Sequence, residues 1–254
     1  CFPQAVASWV ESGDFYKVVH VNRHLLTLYR YDIQKYASTH VSKVTKIFDT
    51  IPSQLQKHEK KFMLKALTEG ARMRDYETAF FWLSDAMIVN MAYNTTEPNI
   101  GLGMNTDDTT LKCYMSDTGL LISHAFNEKA IVSESLYNKL LTDKLELNSG
   151  MVIENIVAQM LRSAGHNLFF FSKYSKEAED RMEIDFLIAK DTITTKHNIS
   201  PIEVKSTNRY TLTSLKKCIA KYGNYLSTPY VIHTADLKIE DGITYLPLYM
   251  TGML

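Results

Sequence analysis

Apolar residues recur at helical spacing through the first third of the chain. In residues 14–37 they fall close to a 3.6-residue period, which predicts a long helix with Asp14 as its N-cap. The same spacing predicts a second helix from Val41 to about Thr50 and a third from about Met73 to Asp85. These helices give the chain an α-helical beginning, of which residues 1–40 form a leading segment.

Two apolar runs of strand character follow the third helix. They are MIVNMAY, residues 87–93, and LKCYMSD, residues 111–117, and a polar loop separates them. Helices followed by a two-stranded hairpin are in the order typical of a winged helix, which we predict for residues 41–126. The polar residues 127–149 are expected to be a connector.

The last part of the chain, residues 150–254, alternates helix and strand patterns. Helices are predicted for GMVIENIVAQMLRSAG and LTSLKKCIAKYG, and strands for HNLFFFSK, EIDFLIA, ISPIEVKS, PYVIHTA and ITYLPLYM. This order predicts an α/β domain with a mixed sheet flanked by helices. The expected fold class is therefore α+β, with the helical and winged-helix region first and the mixed sheet second.

Charge and composition narrow the function classes. Lys and Arg together number 28, as do Asp and Glu, so any nucleic-acid site must be a local patch. Three cysteines without paired spacing fit a reducing compartment, and we find neither a signal peptide nor an apolar run of about 18 residues. We therefore expect a cytoplasmic protein without a membrane partner.

Acidic residues lie on the short apolar strands of the last domain. Strict alternation places Glu183, Asp185 and Leu187 on one face of the first of these strands. In the next strand Glu203 and Lys205 share a face. Buried carboxylates are costly unless they are paired, hydrogen-bonded or bound to a metal.

A divalent metal site is one reading of this pattern. Mg²⁺ or Mn²⁺ prefers oxygen ligands, which Asp185, Glu203 and the carbonyl of Val204 are able to supply. Lys205 is then the candidate for orienting a nucleophile or stabilising developing charge, and Glu154 on the preceding helix for supporting the metal or its water. Two alternatives remain open: a cross-strand ion pair on a solvated face, and an inherited site without turnover.

This order of a helix Glu, a strand Asp and a strand Glu-x-Lys resembles the PD-(D/E)xK phosphodiesterase superfamily, over roughly residues 150–250. The resemblance implies a restriction-endonuclease-like fold and catalytic roles for Glu154, Asp185, Glu203 and Lys205. Ile184 stands where the named pattern has proline.

A second resemblance covers almost the whole chain. It rests on the segments CFPQAV, YRYDIQKYA, ARMRDYETAFFWLSDAMIV, LKCYMSDTGLL, GMVIENIVAQML, EIDFLIA and PIEVKS. In this succession they resemble the C-terminal half of a family of prokaryotic AAA-type ATPases, catalogued as domain of unknown function 4143. The resemblance implies an ATPase domain upstream of Cys1. Because this chain has no phosphate-loop motif, ATP is expected only through that domain.

The predicted recognition helix offers a candidate DNA contact. Arg72, Arg74 and Thr78 lie at its start and along it, although Asp75 and Glu77 would repel phosphate. A solvated face or a contact with the ATPase domain is the alternative. The leading functional hypothesis is metal-dependent phosphodiester hydrolysis on DNA, and its alternative is a non-catalytic DNA- or protein-binding module that regulates the ATPase.

Overall fold

The computed structural model describes residues 2–99, 101–126, 149–177, 179–189, 197–207 and 209–254. These residues form two compact units, and each unit combines two separate segments of the chain. The first unit comprises residues 1–90 and 113–159, and the second comprises residues 91–112 and 160–254.

The first unit is mainly helical. Its helices are α1 (Pro3–Ser12), α2 (Phe15–Tyr36), α3 (Val41–Leu55), α4 (Met73–Asp85) and α5 (Thr118–Ala125), with short 3₁₀ helices at Ser38–His40 and Leu64–Ala66. The carboxylate of Asp14 accepts a hydrogen bond of 2.9 Å from the backbone N–H of Tyr16, which confirms the predicted cap of α2. Helix α4 has the predicted bounds.

Helix α3 continues past its predicted end at Thr50 and includes a proline in its last turns. Pro52 has no N–H to donate to the carbonyl of Phe48, four residues earlier. The ring of His124, on α5, takes over this role: its Nε2 lies 2.9 Å from the Phe48 oxygen, and the His124 and Phe48 rings stack with centroids 4.6 Å apart. A side chain from a distant helix thus satisfies the acceptor that Pro52 leaves open.

Helix α5 follows directly after the apolar run LKCYMSD. Asp117 caps it, accepting a hydrogen bond of 2.9 Å from the N–H of Leu120. Every residue of Thr118–His124 is buried, so this short segment has no polar face from which periodicity could reveal a helix. The predicted connector 127–149 lies outside the described residues except for Ser149, which begins the next helix.

One mixed sheet of eight strands contains all the strands of the described residues. They are β1 (Val89–Thr95), β2 (Thr106–Met115), β3 (Leu168–Lys173), β4 (Met182–Ala189), β5 (Ile199–Val204), β6 (Tyr230–His233), β7 (Lys238–Glu240) and β8 (Ile243–Pro247). Their order in the sheet is β2-β1-β3-β4-β5-β6-β8-β7. The parallel pairs are β1/β3, β5/β6 and β6/β8, and the antiparallel pairs are β3/β4, β4/β5 and β7/β8.

Two further helices are α6 (Ser149–Ser163) and α7 (Thr213–Tyr222). Two further 3₁₀ helices lie at Leu102–Asn105, between β1 and β2, and at Leu248–Met253. Helix α7 contributes Leu215 and Cys218 to the core of the second unit. The strand residues of that core include Phe171, Met182, Ile184, Leu187, Ile199, Val231 and Ile243.

The helical beginning and the mixed sheet confirm the coarse fold class. The two strands predicted as a wing are present as β1 and β2, but they join the eight-stranded sheet. The winged-helix and restriction-endonuclease-like assignments stay predictions. Within the described residues, no helix combines the length and the apolar character needed to cross a membrane.

We predict that His124 makes folding sensitive to pH. Burial lowers the pKa of His124, and within the described residues its Nδ1 has no acceptor for a second proton. The unfolded chain, with a histidine pKa of about 6.5, therefore takes up a proton that the folded state resists. The contribution of this residue to the unfolding free energy should stay constant above pH ~7 and fall as the pH drops below ~6.5.

Urea unfolding at neutral and at mildly acidic pH checks this, with His124→Gln as the comparison. The glutamine amide retains a donor for Phe48 but does not titrate. The variant should lose less stability on acidification than the wild type, and equal losses would show that His124 does not contribute.

Candidate functional site

The antiparallel pairing of β4 and β5 brings Asp185 and Glu203 to neighbouring places in the sheet. Phe186 pairs with Ile202, and Asp185 and Glu203 are the next residues beyond that pair on their strands. The backbone N–H of Val204 donates a hydrogen bond of 2.8 Å to Oδ2 of Asp185. The three residues Asp185, Glu203 and Lys205, predicted to act together, are therefore adjacent in the second unit.

A β-bulge in β4 interrupts the regular pairing of β4 with β3 beside Asp185. Phe169 pairs with Leu187 and Phe171 with Ile184, so β4 has one residue more than β3 between these pairs. Asp185 and Phe186 fill this interval opposite a single residue of β3.

Because of the bulge, the strict alternation of faces that the sequence predicts for β4 is wrong at Leu187. Leu187 does not stay on the face of Glu183 and Asp185; it joins the core that contains Met182 and Ile184. The extra residue reverses the alternation beyond Phe186, so the acids face one way while the following apolar residue still enters the core.

Glu203 has two carboxylate oxygens in different surroundings. The Nζ of Lys205 lies 2.6 Å from Oε1, whereas the buried Oε2 has no hydrogen-bond partner among the described residues. Glu203 is only 8% exposed. Burial and the neighbouring charge of Asp185 raise the pKa of Glu203 to about 8, although Lys205 and Lys112 act in the opposite direction.

Lys112 on β2 also contacts the acids of this site, although the sequence motif does not include it. This lysine is only 1% exposed, and its Nζ lies 3.2 Å from Oε1 of Glu183 and 3.6 Å from Oδ1 of Asp185. The sequence did contain an indication that Lys112 has a buried partner, because it is the one charged residue in the apolar run LKCYM. A lone charge in an otherwise apolar strand indicates a buried partner.

Glu154 belongs to the first unit, where it is almost fully buried. The Nζ of Lys60 lies 2.6 Å from its Oε2, and the hydroxyl of Tyr114 donates a short hydrogen bond to its Oε1. Both oxygens of Glu154 are thus bound within its own unit, while Asp185, Glu203 and Lys205 belong to the other unit.

The candidate DNA-contacting residues lie on the solvent side of α4. Arg72 is its N-cap residue, and Arg72, Arg74 and Thr78 are all exposed. Asp75, also exposed, has Oδ1 3.9 Å from Nε of Arg74. These positions are open to solvent, and their role in DNA binding stays a prediction.

The metal-ligating capacity of the second unit is small. Over the described ranges, no group of three or more His, Cys, Asp or Glu side chains is arranged to hold a metal ion. A metal at Asp185 and Glu203 would therefore have two protein carboxylates and would complete its shell with backbone oxygen and water.

Two family models divide the chain. Residues 1–130 match the model described as "Domain of unknown function (DUF8612)", and residues 149–250 match "Domain of unknown function (DUF4143)". The expected likeness to DUF4143 is confirmed for residues 149–250, whereas the first half of the chain matches a different model. No curated protein and no solved structure matches the chain.

We predict that removing only one partner of the ion pair between Lys60 and Glu154 strongly lowers the unfolding free energy. Lys60→Met leaves a carboxylate buried without its cation and should lower the unfolding free energy by about 3–5 kcal/mol. Adding Glu154→Gln to this variant should recover much of the loss, because the glutamine carries no charge and retains an acceptor for Tyr114.

Urea unfolding of the two single variants and the double variant measures this coupling. Lys61→Met is the matched control, since its partner Glu59 is exposed and such a pair contributes at most about 1 kcal/mol. A Lys60→Met loss no larger than that of the control would contradict the prediction.

Proposed function

The chain belongs to the family described as domain of unknown function DUF8612, and we propose that its second unit carries a divalent-metal site for the hydrolysis of phosphodiester bonds in DNA. The observation that carries the proposal is the buried Oε2 of Glu203, which has no partner among the described residues. Buried carboxylate oxygens are nearly always satisfied, so an open one beside a second carboxylate indicates a place for a cation.

The residues present fit Mg²⁺ or Mn²⁺. Oε2 of Glu203 and a carboxylate oxygen of Asp185 would hold it, with the carbonyl of Val204 as a third ligand. A bound divalent ion lowers the pKa of a water ligand and neutralises charge on a phosphoryl oxygen. The raised pKa of Glu203 supports the same assignment, because strongly perturbed carboxylates concentrate at functional sites.

The chain's own groups would prepare this site. The N–H of Val204 fixes Asp185 through Oδ2, and Lys205 fixes Glu203 through Oε1. Lys205 is itself partly exposed, with 19% of its side chain open to solvent. Its ammonium is therefore the group that would meet the negative charge of a phosphodiester.

An association with an AAA-type ATPase belongs to the same proposal. DUF4143 is a domain found in AAA-ATPase-associated proteins. We infer that the two matched regions work beside an ATPase domain of the same protein, which would bind the ATP. DNA and that domain are the proposed partners.

A second candidate function is a non-catalytic module that binds DNA or protein and regulates the ATPase. The observation that favours it is the pairing of each predicted carboxylate with a lysine: Glu203 with Lys205, Asp185 with Lys112 and Glu154 with Lys60. Charges paired in this way serve structure without any metal.

Metal binding separates the two functions. We expect the wild-type chain to bind Mg²⁺ and Mn²⁺ in isothermal titration calorimetry, and Asp185→Asn or Glu203→Gln to weaken binding by roughly tenfold or more, since each removes a charged ligand. Asp180→Asn is the control, because Asp180 is an exposed acid of the same unit that pairs with Lys221.

Cleavage of labelled DNA in the presence of Mn²⁺ then tests turnover. Metal binding that depends on Asp185 and Glu203, with cleavage abolished in Lys205→Met, supports the phosphodiesterase. Binding heats that are absent from the wild type, or equal in all the variants, would favour the regulatory module.

DNA binding through α4 makes a separate prediction. Replacing Arg72 and Arg74 by alanine should weaken binding of duplex DNA and lower the slope of log K against log salt by about 0.9 for each phosphate that the variant no longer neutralises. Fluorescence anisotropy at several salt concentrations measures both. Lys35→Ala, an exposed cation on α2, is the control, and an unchanged salt slope in the arginine variant would place the DNA elsewhere.

A further inference from the structure

The ammonium of Lys112 lies where two carboxylates of the candidate site meet. Its Nζ is 3.2 Å from Glu183, 3.6 Å from Asp185 and 5.1 Å from the centre of the Phe170 ring. Strands β1 and β3 separate β2 from β4 in the sheet, so the lysine side chain crosses the face of the sheet to reach these acids. It lies outside the sequence motif that indicates the site.

We propose that Lys112 fills the position of a second cation, so that the site takes one divalent metal ion and not two. This inference rests on the proposed function and specifies the metal content of that same site. Two-metal phosphodiesterase sites hold their ions about 3.5–4 Å apart between shared carboxylates. Here Glu183 and Asp185 would be such carboxylates, and an ammonium already stands between them.

The charges of the cluster favour a single divalent ion. Glu183, Asp185 and Glu203 bring three carboxylates, and Lys112 and Lys205 bring two ammonium groups. One divalent ion at Asp185 and Glu203 leaves the cluster close to neutral. A second would add an excess of positive charge beside a lysine that is only 1% exposed, which is strongly unfavourable in a buried place.

Lys112 is also unable to make room easily. Its ammonium is held over the Phe170 ring, and its stem is buried with the rest of the residue. Moving it aside would leave Glu183 and Asp185 without this cation. Lys112 is therefore a positioning residue that sets metal stoichiometry, while Glu183 is bound to the lysine and is not a metal ligand.

Manganese titration of the whole chain tests the inference, with calorimetry for stoichiometry and electron paramagnetic resonance for spin coupling. The wild type should bind one Mn²⁺ with an uncoupled spectrum. Lys112→Gln, which removes the ammonium, should bind a second Mn²⁺ and show a coupled pair. Lys112→Arg keeps the charge and should bind one. Adding Glu183→Gln to Lys112→Gln should return the stoichiometry to one.

Glu183→Gln alone keeps the test decisive if Lys112→Gln does not fold. The proposal expects this variant to bind one Mn²⁺ with the affinity of the wild type, whereas a loss of roughly tenfold would make Glu183 a ligand and overturn it. Two ions in the wild type, or one ion in a folded Lys112→Gln, would overturn it as well. A wild type that binds no Mn²⁺ removes the proposed function itself, and this inference with it.

Discussion

A charged side chain that leaves water needs an opposite charge beside it, and this constraint governs how the acids of this protein are arranged. Asp185 and Glu183 meet Lys112, Glu203 meets Lys205, and Glu154 meets Lys60. Buried pairs of this kind add little net stability compared with apolar residues of the same volume, because desolvation offsets the attraction. On stability grounds alone apolar residues would serve as well at these positions, so the proposed function offers a reason for the charges that stability does not.

Local backbone geometry then decides which charges meet. Without the extra residue in β4, Leu187 would lie on the face of Asp185 and be absent from the core of the second unit. With it, the strand keeps an apolar face against α7 and still turns Asp185 towards Lys112 and the N–H of Val204. Bulges are common beside functional sites because they reorient one side chain without disrupting the sheet.

Sequence patterns predicted those parts of the structure that depend on near neighbours. The 3.6-residue period and the Asp14 cap located α2, and strand character located β3, β4 and β5. The bulge was out of reach, because it is a property of how β4 pairs with β3 and not of β4 alone. Strict alternation assumes a regular partner strand and failed for that reason at Leu187.

Contacts between residues far apart in the sequence were also missed, because they depend on the folded arrangement. His124 replaces the donor that Pro52 lacks, and Lys112 reaches acids on β4 across two intervening strands. The likeness to DUF4143 was expected over almost the whole chain but is found for residues 149–250, while residues 1–130 match DUF8612.

The two buried glutamates Glu154 and Glu203 differ in how their carboxylate oxygens are bonded. Glu154 has a cation on one oxygen and a tyrosine hydroxyl on the other, so its hydrogen-bonding capacity is engaged on both sides. Glu203 has a cation on one oxygen and no partner on the other among the described residues. A purely structural pair has no reason to leave a buried acceptor open, because an unsatisfied acceptor costs about 1–3 kcal/mol. That cost is offset when a cation binds the open oxygen. The open oxygen of Glu203 is therefore the observation that separates the proposed metal site at Glu203 and Asp185 from the structural pair at Glu154.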